Sequence, residues 1–106
     1  MITLQYFEGC PNATTTLQNL QQAMREINIS GTEIRMIKVP GPEEAEKLNF
    51  QGSPTILING VDIYTLKVPE NFSYSCRFYQ FKGVRTGIIP KHYIMEKITE
   101  LYSDEK

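Results

Sequence analysis

Two cysteines, Cys10 and Cys76, carry the most distinctive chemistry in this sequence. A thiolate is the nucleophile of disulfide exchange and a ligand that soft metal ions favour, so a thiol matters where its surroundings promote ionisation and access. Cys10 stands in Phe7-Glu8-Gly9-Cys10-Pro11-Asn12, directly ahead of a stretch with helical periodicity. Pro11 suits a first helical position, where its missing N–H would have had no partner. Cys10 is thereby placed at a helix amino terminus, whose unpaired N–H groups and dipole stabilise thiolate and lower the pKa from the free value of about 8.5. Glu8 opposes that shift, and no basic residue is close in sequence, so a larger shift requires Arg77 to fold over the site. The competing reading makes Cys10 a small buried hydrophobe, as free cysteine often is.

Where a dithiol motif would place its second cysteine, the chain reads Cys10-Pro11-Asn12-Ala13. Two-step disulfide reduction, attack by one thiolate and release by a neighbour, cannot run inside this motif. Cys76 is the remaining candidate for a resolving thiol, although beside Phe78 and Tyr79 it is also suited to simple packing. Two cysteines are too few for a disulfide scaffold and lack the four ligands of a structural zinc site. Asn12 either caps or orients the thiol or is merely tolerated in the first turn. His92, the only histidine, lies between Lys91 and Tyr93 and reads as a surface or packing residue without a partner for a Cys-His dyad. The Tyr and Phe residues from Phe72 to Phe81 either cover the site or form a satellite core.

The elements that position these residues follow from period and punctuation. Residues 2–7 are β-branched and aromatic and stop at Glu8-Gly9, as a short buried strand does. Leu17, Leu20, Met24 and Ile27 then form the stripe of an amphipathic helix that has ended around Gly31. Glu33 to Val39 reads as a second strand, stopped by Pro40-Gly41-Pro42. Pro42 to Leu48 has a proline start and acidic residues in its first turn, as a short helix prefers. Thr55–Ile58 and Val61–Tyr64 are β runs joined by Asn59-Gly60, the strongest short hairpin signal in the chain. Residues 65–89 show no steady period and read as an ordered insertion in which Arg77 to Phe81 suits an extra strand. Pro90 opens a closing helix over Lys91 to Tyr102, with Ile94, Ile98 and Leu101 on one stripe, and Ser103 to Lys106 are expected to fray.

The whole chain, 1–106, reads as one domain, since 106 residues leave no room for a second core. With 41% hydrophobic residues, disordered and low-complexity classes are excluded. Eleven basic against twelve acidic side chains give a net charge of −1, which argues against nucleic acid as a partner. The absence of a long apolar run argues against a membrane partner, and the amino terminus has no signal-like pattern, so a cytoplasmic location is expected. Sequons at Asn12, Asn28 and Asn71 are read as chance.

The order β-α-β-α, hairpin, helix, with Cys10 after the first strand and Pro54 before the third, resembles the thioredoxin-like superfamily over most of the chain. Its two markers are Phe7-Glu8-Gly9-Cys10-Pro11-Asn12 and Gly52-Ser53-Pro54-Thr55. These strings, with Ser75-Cys76-Arg77-Phe78-Tyr79, are similar to a group of small single-cysteine proteins loosely labelled thioredoxin-family or alkylmercury-lyase-like. The resemblance implies an α/β fold of three layers, α/β/α, with a mixed sheet of about four strands and the 65–89 insertion after the hairpin. It implies a cis Pro54 lying against Cys10, with Pro11, Asn12, Ser53, Pro54 and Thr55 bordering the substrate. It also implies that the insertion emerges on the Cys10 side; the twelve steps from Tyr64 to Cys76 reach about 40 Å at most.

The leading expectation is therefore a thiol protein using Cys10, at least partly accessible, in thiol–disulfide or mixed-disulfide chemistry. Cys76 is its candidate resolving thiol, and the partner is a protein or small-molecule thiol or disulfide; this chemistry calls for no cofactor. A second reading makes Cys10 and Cys76 the two thiolates of a soft-metal or organomercurial binder. A third is a peptide-binding module whose groove beside Pro54 holds an extended segment by main-chain hydrogen bonds.

Overall fold

The structure is a computed structural model that describes residues 1–29 and 33–102. Strand β1 (Ile2–Tyr6) leads through the Glu8-Gly9 turn into helix α1 (Pro11–Glu26), and β2 (Ile34–Lys38) returns parallel to β1. Helix α2 (Pro42–Leu48) has the expected proline start, acidic first turn and Lys47 in its last turn; Asn49, in left-handed conformation at φ 53°, closes it. β3 (Thr55–Ile58) pairs antiparallel with β1, and the Asn59-Gly60 turn carries it into β4 (Val61–Asp62). The result is the expected mixed four-stranded sheet, in the order β2-β1-β3-β4.

Apolar side chains of the sheet and its flanks fall into two cores. Ile2 and Leu4, opposite Ile58 and Ile56, face the larger core, where α1 supplies Leu20, Ala23 and Met24 and helix α3 (Lys91–Tyr102) supplies Ile94 and Ile98. Phe7 and Ile37 face the smaller core with Val39, Ala45 of α2 and Phe50. Helices thus cover both faces of the sheet. Each fully buried Leu or Ile contributes about 1.5–3 kcal/mol of transfer free energy, so tertiary burial outweighs the few tenths of helix propensity that the threonines of α1 forfeit.

The structure corrects the end of the fourth strand and the aromatic cluster, and bears out an extra strand within Arg77–Phe81. The fourth strand stops at Asp62, because Asp62 Oδ1 accepts the Tyr64 N–H at 2.8 Å and turns the chain. The insertion contains a separate hairpin, β5 (Tyr79–Phe81) and β6 (Val84–Thr86), turning through Lys82-Gly83. Its aromatic cluster is divided: Tyr79 joins the main core and Phe81 packs against it, whereas Phe72, Tyr74 and Phe78 stay exposed. The insertion is fastened to α1 at its far end, where the Asn19 Nδ2 donates to Ile89 O at 3.0 Å and the Ile89 N–H to Thr16 Oγ1 at 3.3 Å. Helix α1 ends at Glu26; the reading around Gly31 and that of Ser103 to Lys106 lie outside the described residues. Among the described residues, no helix is long and apolar enough to cross a membrane.

Candidate functional site

Cys10 is the N-cap residue of α1, in extended conformation at φ −81° and ψ 108°, with Pro11 beginning the helix. Its backbone N–H donates to Phe7 O, closing the turn after β1, and its carbonyl accepts from Ala13 N at 3.2 Å. The expected partial access is corrected: only 6% of Cys10 is exposed, and its Sγ donates to Ser53 O at 3.8 Å. A cavity of about 270 Å³ between the β1–α1 turn, the first turns of α1 and Met36 of β2 leads to the residue. The Ser53 carbonyl that the thiol meets is itself covered by the insertion.

That cover is a strap. The Ser53 N–H donates to Ser75 O at 3.0 Å, and the Arg77 N–H donates to Ser53 O at 2.9 Å, so Ser53 and Cys76 form a parallel β-bridge. The Ser73 N–H donates to Phe50 O at 2.7 Å, continuing the strap along the loop before β3. Ser53 O thus receives both the Cys10 thiol and the amide that follows Cys76. Residues paired across a bridge present their side chains on one face. On that face Ser53 Oγ accepts from Phe7 N at 3.3 Å, and the Tyr74 ring, two residues from Cys76 and hence on its side, lies 5.4 Å from the Phe7 ring. Cys76 is exposed and free, as Cys10 is free, and its backbone is bridged to Ser53, whose carbonyl the Cys10 thiol meets.

The strap is anchored beneath by charge. Asp62 is buried with 1% exposure, and its Oδ2 lies 2.7 Å from Arg77 Nη1; the same nitrogen donates to Thr55 Oγ1 at 3.1 Å. Thr55 in turn donates to Gly52 O at 2.6 Å. The Arg77 guanidinium lies 4.8 Å from the centre of the Tyr79 ring and 5.7 Å from that of Tyr64. The Tyr79 hydroxyl donates to Pro54 O, and burial pushes this phenol well above its ordinary pKa of 10.0, with the Arg77 charge opposing and the Asp62 charge reinforcing. Arg77 is thus docked on Asp62 and Thr55, and the fold over the thiol that a larger shift would require is not seen.

Gly52 makes this approach possible. At φ +107° it occupies a region that L side chains avoid, and a Cβ there would meet Ser75 O at 2.9 Å and Arg77 Cβ at 3.0 Å. The Ser53–Pro54 bond is cis, as the resemblance implied. Of the other expected site residues, Ser53, Pro54 and Thr55 are buried under the strap, Pro11 is exposed, and Asn12 sets its amide against Gly87 and makes no cap. The main-chain groups of Ser53 that an added peptide strand would use are already paired within the chain. His92 lies exposed on α3. Asp62, Arg77, Gly52 and Tyr79 escaped the sequence reading as site components. Asp62 had a signal: an acid set between Val61 and Ile63 in a β run that follows a buried strand needs a buried partner.

A family model described as Domain of unknown function (DUF2703) matches residues 2–98, and the chain belongs to that family. No curated protein and no solved structure matches it.

Proposed function

We propose that this member of the DUF2703 family is a thioredoxin-like thiol protein in which Cys10 takes up a disulfide and Cys76 resolves it. The supporting observation is the single oxygen, Ser53 O, that accepts both from Cys10 Sγ and from the amide next to Cys76. The order of the sheet and the position of Cys10 at the start of α1 agree with the resemblance.

The chemistry is two thiol–disulfide exchanges. Cys10 thiolate attacks one sulfur of a substrate disulfide, forming a mixed disulfide and expelling the other sulfur as thiolate, which takes up a proton. Cys76 thiolate then attacks Cys10 Sγ and releases the second substrate thiol. Two electrons pass to the substrate, and the chain is left with a Cys10–Cys76 bond. Two equivalents of a low-molecular-weight or protein thiol restore the dithiol by the reverse exchanges. The substrate disulfide approaches Cys10 through the cavity bordered by the β1–α1 turn and Met36.

Mass spectrometry after mild oxidation with oxidised glutathione and acid quenching tests the reading. The expected product is a monomer lighter by two hydrogens, and Cys76→Ser should instead accumulate a glutathione adduct on Cys10. Only glutathione adducts or Cys10-linked dimers in the unsubstituted chain would exclude Cys76 as the resolving thiol.

A further inference from the structure

The Asp62–Arg77 pair is an expensive way to hold a strap. Taking two charges out of water costs several kcal/mol per ion, and well-packed apolar residues of similar volume often do as well or better. Here Asp62 is buried, and only 11% of the Arg77 side chain is exposed. What the pair adds is register. In an extended segment neighbouring side chains alternate between faces, and a slip of one residue exchanges them. Arg77 inward, on Asp62 and Thr55, requires Cys76 outward on the face of Phe7 and Tyr74. A one-residue slip would strand the Asp62 carboxylate without its cation and turn Cys76 away from the Cys10 turn. No neutral side chain penalises that slip so strongly, since a buried charge left without its partner is strongly destabilising.

We propose that Arg77 is the positioning residue for the second thiol: docked on Asp62 and Thr55, it fixes the register in which Cys76 lies beside Ser53 and within reach of Cys10. This inference rests on the reading of Cys10 and Cys76 as an exchanging pair. Arg77 itself touches neither sulfur's reaction partner and acts only through the strap. The Asp62 carboxylate is satisfied on its other oxygen by the Tyr64 N–H, so the pair is rigid on both sides. The aromatic faces of Tyr64 and Tyr79 hold the guanidinium flat over the core.

The test is the effective concentration of Cys76 toward Cys10, measured in the whole chain with buffers of reduced and oxidised glutathione at a temperature where every variant is folded by circular dichroism. The balanced reaction is dithiol chain plus glutathione disulfide giving disulfide chain plus two glutathione thiols. Arg77→Met should lower the effective concentration at least tenfold, and Arg77→Lys, which keeps the charge without the planar guanidinium that packs on the Tyr64 and Tyr79 rings, should recover part of it. A merely stabilising Arg77 would lower the melting temperature of these variants while leaving the equilibrium of the folded chain unchanged. If Arg77→Met does not fold, Arg77→Lys decides: a loss of threefold or more supports the positioning role, and a smaller loss overturns it. Where Arg77→Met folds, an equilibrium within threefold of the unsubstituted chain overturns this inference alone, and a loss beyond that supports it. Absence of any internal disulfide in the unsubstituted chain overturns the thiol-pair reading, and this inference with it.

Discussion

Gly52→Ala measures how closely the strap is applied to the loop that bears Ser53. The new Cβ would meet Ser75 O at 2.9 Å and Arg77 Cβ at 3.0 Å, and the first of these is backbone that cannot rotate away. Holding an alanine in a sparsely populated backbone region costs about 1–3 kcal/mol. Relieving the contact by moving the strap costs a further amount of about 1–3 kcal/mol, as overpacking does elsewhere. Gly60→Ala is the control: φ there is also positive, at +84°, but no atom lies within 4 Å, so only a backbone penalty of about 1–2 kcal/mol applies. The unfolded-state entropy that alanine removes offsets about 0.4–1 kcal/mol in both variants and cancels in the comparison.

At about 4 °C per kcal/mol for a chain of this length, and with that offset subtracted, Gly52→Ala should melt about 4–22 °C below the parent and Gly60→Ala at most about 6 °C below it. Thermal unfolding of the reduced proteins, followed by circular dichroism, supplies the numbers. Pulsed alkylation at a temperature where both are folded supplies a second readout, because a displaced strap should speed modification of Cys10 in Gly52→Ala only. Equal melting temperatures and equal alkylation rates in the two variants would refute the close approach on which the site is built.

Oxidation and pH give two further expectations. A Cys10–Cys76 bond closes a loop whose lost unfolded-state entropy is nominally worth on the order of 4 kcal/mol, so the oxidised chain should be the more stable in urea, and Cys76→Ser should erase the difference. Tyr79→Phe should cost about 1–3 kcal/mol at pH 7, because the buried Pro54 carbonyl loses its donor. The unfolded chain ionises tyrosine near pH 10 and the folded Tyr79 only above that, so this residue's contribution is complete below about pH 10 and lost as pH rises past it. The stability gap between the parent and Tyr79→Phe should therefore shrink from pH 9 to pH 11 in urea titrations; a constant gap would refute the buried phenol.

The fold was legible wherever a local pattern coincided with a tertiary requirement. The stripe Leu17, Leu20, Met24 is helical by spacing and is also the face that meets Ile2 and Leu4, so period and burial agree. Pro11 and Pro42 start helices because a residue without an N–H is best spent there. Asn59-Gly60 turns a hairpin because both residues hold positive φ, 53° and 84°. The insertion had no period to read because long-range partners fix its residues: Ile89 on Thr16 and Asn19, Tyr79 in the core, Ser73 on Phe50. A segment held at scattered points has no reason to repeat.

The site was half legible for a related reason. Cys-Pro announced the thiol at the helix start, but the carbonyl it meets belongs to Ser53, 43 residues away, under a strap reached only after the hairpin. Glycine at 52 reads locally as turn punctuation, whereas its function is to admit the backbone of Ser75. Asp62 announces a missing cation, yet the chain has eleven basic residues, and nothing local selects Arg77 among them. The selection is made by alternation: with Ser53 paired to Cys76, the side chain that falls inward next is at 77, and the charge there must match Asp62. In the proposed arrangement the position of Cys76 is set by a residue that carries no thiol chemistry, and a search for reactive side chains finds Cys10 and Cys76 and passes over Asp62 and Arg77.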